Sequence, residues 1–120
     1  MKTRRRRTRR PKSLFCELRK TEEMKIKYPL TECICIDVDG TLLLKEETLN
    51  ETLATWAAAK KSEGYEVILW SARGRNHAEN VAKKFNIEDN FSFIVSKPGY
   101  IIDDLGWKWI RYTKILRKLF

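Results

Sequence analysis

The chain has 120 residues, is 42% hydrophobic and carries a formal net charge of +9. That length supports one globular domain of a few strands and helices, and the lack of any run of 18 apolar residues argues against a membrane span. The charge is uneven: residues 1–24 hold ten Lys/Arg against three Glu, whereas residues 25–120 hold fifteen Lys/Arg against thirteen Asp/Glu, so the basicity belongs to a tail.

Residues 1–23 read as that tail, with six arginines in the first ten positions and a solvated, disordered composition. Its guanidinium groups suit the phosphates of a nucleic acid, bound with strong salt dependence. A start at Met24 is the competing reading, under which the arginines are not part of the working protein. Paired arginines near an N-terminus can mark an export signal, but no apolar stretch follows Pro11 to serve as its core. The three cysteines are odd in number and lack metal-ligand spacing, so Cys33 and Cys35 are expected to be small buried apolar residues in a reducing cytosol. The expected location is cytoplasmic.

From residue 24 to 120 the pattern is that of one domain. Leu30 to Val38 is a near-continuous apolar run, as in a parallel strand covered on both faces. Thr48-Leu49-Asn50-Glu51 has the form of a capping box opening a helix to about Ser62, with Leu49, Leu53, Trp56, Ala57 and the stem of Lys60 inward. Gly64 ends it. Tyr65 to Trp70 is a second strand that stops at Ser71. Asn76 opens a second helix that ends near Asn86. Phe91 to Val95 is a third strand, and Tyr100-Ile101-Ile102 a fourth. Trp107 to Phe120 has helical spacing of Trp109, Tyr112, Ile115 and Leu119, and reads as a basic helix packed on the sheet. Strands alternating with helices predict an α/β fold, a Rossmann-like parallel sheet with flanking helices.

The first strand ends in Asp37-Val38-Asp39-Gly40-Thr41. Alternation puts Asp37 and Asp39 on one side of the strand. Two carboxylates 4 Å apart repel by about 4 kcal/mol at an effective dielectric of 20, so such a pair calls for a cation or a shared proton. In a parallel sheet all strand ends share one edge, where open α/β sheets bind ligands. Ser71, Lys97, Asp103 and Asp104 follow the other strands to that edge. Four carboxylates, a hydroxyl and an ammonium there match a hard cation, most simply Mg²⁺, beside an anionic substrate. Phosphoryl transfer fits that set.

Asp37-Val38-Asp39-Gly40-Thr41 resembles the first signature, D-x-D-G-T, of the haloacid dehalogenase (HAD) superfamily. Ser71 at the end of an apolar strand is similar to its second motif, Lys97 before Pro98 to its third, and Asp103-Asp104 after Tyr-Ile-Ile to its fourth, in the expected order over residues 30–105. The resemblance implies that Asp37 is the nucleophile, forming an aspartyl-phosphate, and that Asp39 is the general acid/base, which Thr41 could orient. It implies that Ser71 and Lys97 hold phosphoryl oxygens, and that Asp37, the Val38 carbonyl, Asp103 and Asp104 bind Mg²⁺. Arg73, two after Ser71, is similar to the basic residue of the S-x-R or T-x-R found in small HAD phosphatases, and is a candidate substrate contact. His77, the single histidine, reads as an exposed helix residue, since a carboxylate-rich Mg²⁺ site has no need of imidazole.

Only 32 residues separate Asp39 from Ser71, and 26 separate Ser71 from Lys97. One helix and one strand use up each interval, leaving no room for a cap domain. The expectation is thus a capless Mg²⁺-dependent phosphomonoester hydrolase with an open site, suited to a nucleotide or nucleic-acid end. Two rivals stand beside it: a small-metabolite phosphatase whose lid comes from oligomerisation, and a nucleic-acid-binding protein with a vestigial site.

Overall fold

The computed structural model describes residues 29–117, so the readings of residues 1–23 as a tail and of Met24 as a start lie outside the described residues. Glu32–Ile101 forms one compact unit; residues 29–31 and 102–117 belong to a second. The first unit holds β1 (Cys33–Asp37), α1 (Glu51–Ser62), β2 (Glu66–Ser71), α2 (Arg75–Lys84) and β3 (Phe93–Ser96).

The strands form a parallel sheet in the order β1-β2-β3. Ile36 pairs with Leu69, Asp37 with Trp70, and Ser71 with Ser96. Partners in register share a face. One face therefore carries Ile34, Ile36, Val67, Leu69 and Ile94, of which Ile36, Val67 and Leu69 are buried. The helices contribute Leu53, Ala54 and Ala57 from α1 and Ala78, Val81 and Ala82 from α2 to the same core. Burying a side chain such as Leu69 is worth about 2–3 kcal/mol, so this layer supplies most of the fold's driving force.

The other face differs from expectation. It carries Cys33, Cys35, Phe93 and Val95, exposed among the described residues, beside the half-buried Ile68 and Trp70, so the two cysteines are not core residues. Partial burial of the sulfur, with the neighbouring Cys33 thiol, still pushes the Cys35 thiol up to about 11, which keeps it protonated at neutral pH.

Helix ends follow local chemistry closely. Past α1, Gly64 takes φ +100°, and its amide and that of Tyr65 bond back to the Lys61 and Lys60 carbonyls. Past α2, Asn86 takes φ +57°, with the Asn86 and Ile87 amides on Lys83 and Ala82. Both are Schellman closures, one built with Gly and one with Asn. The start of α1 is shifted. Its N-cap is Asn50, whose side chain accepts from the Leu53 amide, while Thr48 donates its hydroxyl to the Lys45 carbonyl and caps nothing.

In the second unit, a 3₁₀ helix spans Gly106–Tyr112 and ends at Thr113 in extended backbone, in place of the longer helix expected from residue 107. It has no buried residue, and helical periodicity without a face to bury does not sustain a helix. The expected fourth strand is also absent among the described residues. Tyr100 and Ile102 are almost wholly exposed, and three apolar residues with no ladder partner do not make a strand.

Candidate active site at the carboxyl edge of the sheet

The strands run parallel, so their last residues, Asp37, Ser71 and Ser96, share one edge. Beyond Asp37 the chain turns sharply. Gly40 takes φ +83°, open to glycine without strain, and its amide bonds to the Leu43 carbonyl at 2.8 Å. The Thr41 and Leu43 amides return to the Val38 carbonyl at 3.2 and 2.8 Å. Val38 and Leu42 are fully buried beneath this turn and fix it to the core.

Asn50 secures the turn from the far side. Its amide bonds to the Leu42 carbonyl at 2.8 Å and its side-chain Nδ2 donates to the Thr41 carbonyl at 3.2 Å, while its Oδ1 caps α1. One residue thus joins the acidic turn to the first helix. Its signal in the sequence was a cap-forming side chain next to the helix start, with Thr48 two residues earlier competing for the role.

Asp37 is held at both oxygens. Lys97 Nζ donates to Oδ1 at 3.1 Å and the Thr41 hydroxyl donates to Oδ2 at 3.3 Å. The Thr41 hydroxyl therefore orients Asp37 and not Asp39, because the turn closed by Gly40 brings it back over the strand end. Lys97 is placed by its backbone: its amide bonds to the Ser71 carbonyl at 2.9 Å. Ser71 is buried, and its hydroxyl accepts from the Arg73 amide at 3.0 Å. Ser96 accepts from the Arg75 amide at 2.8 Å, which pins the start of α2 to the end of β3.

Asp39 meets α2. His77 Nε2 lies 3.2 Å from its Oδ1, and Arg73 lies 3.6 Å from the same oxygen. His77, expected to be an exposed helix residue, does lie on the helix but is half-buried against this carboxylate. Arg73 lies in the turn before α2 and His77 in its first turn, and the Gly74 backbone at φ +106° brings both to the same carboxylate. A cavity of about 370 Å³ opens beside them, lined by Arg73, Gly74, Arg75, Asn76, Val95 and Ser96.

Asp37, Asp39, Thr41, Ser71, Arg73 and Lys97 all fall within the first unit. Asp103 and Asp104 belong to the second, where Asp103 accepts the Leu105 amide on Oδ1 at 2.8 Å. Among the described residues, no group of three or more His, Cys, Asp or Glu side chains is gathered into a metal site. The Val38 carbonyl, expected as a metal ligand, already accepts two amides.

Among the described residues no helix is long and apolar enough to cross a membrane. No solved structure matches the chain. The family model of haloacid dehalogenase-like hydrolases matches residues 34–120, from β1 through the acidic turn and all four motif positions. The chain belongs to the haloacid dehalogenase-like hydrolases.

Proposed function

We propose that the protein is a phosphomonoester hydrolase that works through an aspartyl-phosphate on Asp37. The observation that carries this reading is the pairing of Asp37 with Lys97 and Thr41 at the open edge of the sheet. An Asp37 oxygen bonds to phosphorus as the ester P–O bond breaks, and Asp39 gives its proton to the leaving oxygen. Water then attacks the acyl-phosphate, loses a proton to Asp39, and Asp37 leaves as a carboxylate. Lys97, already at the nucleophile, offsets the charge gathered on the phosphoryl oxygens, and the Ser71-Ala72-Arg73 turn offers backbone and guanidinium donors.

On the motif pattern, Asp37, Asp103 and Asp104 are candidate Mg²⁺ ligands, and the ion would supply neutralisation of phosphoryl charge. The Val38 carbonyl is the weakest member of that set, since both amides at the turn already claim it. The first unit alone offers Asp37 and Asp39, fewer oxygens than a hard cation takes.

The substrate class proposed is a nucleotide or nucleic-acid end. Its support is the cap-free spacing together with Arg73 and Arg75, both about two-thirds exposed beside the cavity. The test is phosphate release from a panel running from sugar phosphates through nucleotides to 3′- and 5′-phosphorylated oligonucleotides, with Mg²⁺ and with EDTA. Release that needs Mg²⁺ and favours oligonucleotides is the expected result. Preference for sugar phosphates contradicts the substrate class, and silence across the panel contradicts the activity.

A further inference from the structure

We propose that His77 is a positioning residue for Asp39, holding one carboxylate oxygen so that the other is left for proton transfer. The proposal rests on the reading of Asp39 as the acid/base. His77 and Arg73 reach this carboxylate on the same atom, His77 Nε2 at 3.2 Å and Arg73 at 3.6 Å, each to Oδ1. The His77 and Arg73 contacts do not touch Oδ2.

Of the two, His77 is the better anchor. Its side chain is 19% exposed against 67% for Arg73, and its distance is that of a hydrogen bond, whereas 3.6 Å is not. A short two-torsion side chain on a helix also loses less freedom on fixing its target than a long guanidinium stem does. The helix under it is secured at its first turn. The Arg75 amide bonds to Ser96 Oγ, and Ala78, next to His77 in sequence, is fully buried. Asp39, by contrast, sits at the head of a turn and is 43% exposed. Without an external hold its carboxylate samples several rotamers, and a loosely held acid/base loses rate steeply with small displacements.

In the proposed arrangement the ring donates Nε2–H to Oδ1, so the proton in play sits on Oδ2. Oδ2–H passes to the leaving oxygen as the P–O bond breaks, and Oδ2 later takes a proton from the attacking water. His77 keeps its own proton throughout, which distinguishes positioning from relay.

The test uses the full chain and His77→Ala, His77→Gln and Asp39→Asn variants. Because the chain has a single histidine, its ring nitrogens give one unambiguous set of signals in a ¹⁵N–¹H spectrum. The expected result is a kcat about tenfold or more below wild type in His77→Ala with KM little changed, the pattern of an interaction that matters in the transition state. His77→Gln, whose amide N–H reaches a similar point, returns most of the loss. The wild-type ring shows a protonated Nε2 whose signal moves in Asp39→Asn. Wild-type kcat in His77→Ala overturns the proposal, as does a Gln variant no better than Ala, or ring signals that ignore Asp39→Asn. The ring spectrum reads the contact without turnover. A shifted ring signal in a protein that releases no phosphate therefore locates the failure in the phosphatase reading, and ends the catalytic role of His77 with it.

Discussion

Lys97 shows how one side chain can matter little to folding and greatly to chemistry. Its pair with Asp37 is more than one-third exposed on each side, and pairs so placed contribute about 0–1 kcal/mol to stability. The same ammonium sits at the proposed nucleophile, where loss of one charge-stabilising donor costs about 10²–10³ in kcat. Lys97→Met should therefore leave the unfolding midpoint nearly unchanged and cut phosphate release by about two to three orders of magnitude. A large fall in stability with turnover kept would mean that the pair is structural. Asp37, Ser71 and Lys97 were legible in the sequence because each follows an apolar strand. The Thr41 and His77 contacts were not, because each depends on where a turn or helix brings a side chain in space. For Thr41 the local turn decides, and for His77 the packing of α2 against β3.

At the scale of elements, Asn50 joins the first helix to the acidic turn. Replacing an N-cap Asn by Ala costs about 1 kcal/mol from the cap alone. Here the Nδ2 bond to the Thr41 carbonyl is lost too, so Asn50→Ala should cost about 1–2 kcal/mol in chemical denaturation. Thr48→Ala should cost well under half of that, since the Thr48 hydroxyl bonds only to the exposed Lys45 carbonyl. Equal costs would return the cap to Thr48. Thr48 and Asn50 are both good capping residues, and sequence alone does not rank them; the second hydrogen bond of Asn50, to a loop nine residues away, does. Strand and helix order from Cys33 to Ser96 follows the sequence pattern because each of those elements buries a face. Residues 100–102 and 107–117 carry the same kind of pattern but have no fully buried residue, and they form neither the strand nor the long helix that pattern suggested.

For the molecule as a whole, a parallel sheet gathers residues 37, 71 and 97 at one edge although 60 positions separate the first from the last. The chain that connects them is spent on two crossover units, with no insertion to fold over the edge. The measurement that tests the central claim most directly is turnover by Asp37→Asn, assayed on the best phosphate ester of the wild type with Mg²⁺ present. Circular dichroism and the unfolding midpoint confirm the fold alongside. Asn keeps the size and the Thr41 and Lys97 neighbours but cannot attack phosphorus as a carboxylate. The account predicts a folded protein with phosphate release lowered by at least about 10³, the scale expected when a covalent nucleophile is removed. A folded Asp37→Asn that turns over like wild type would contradict it.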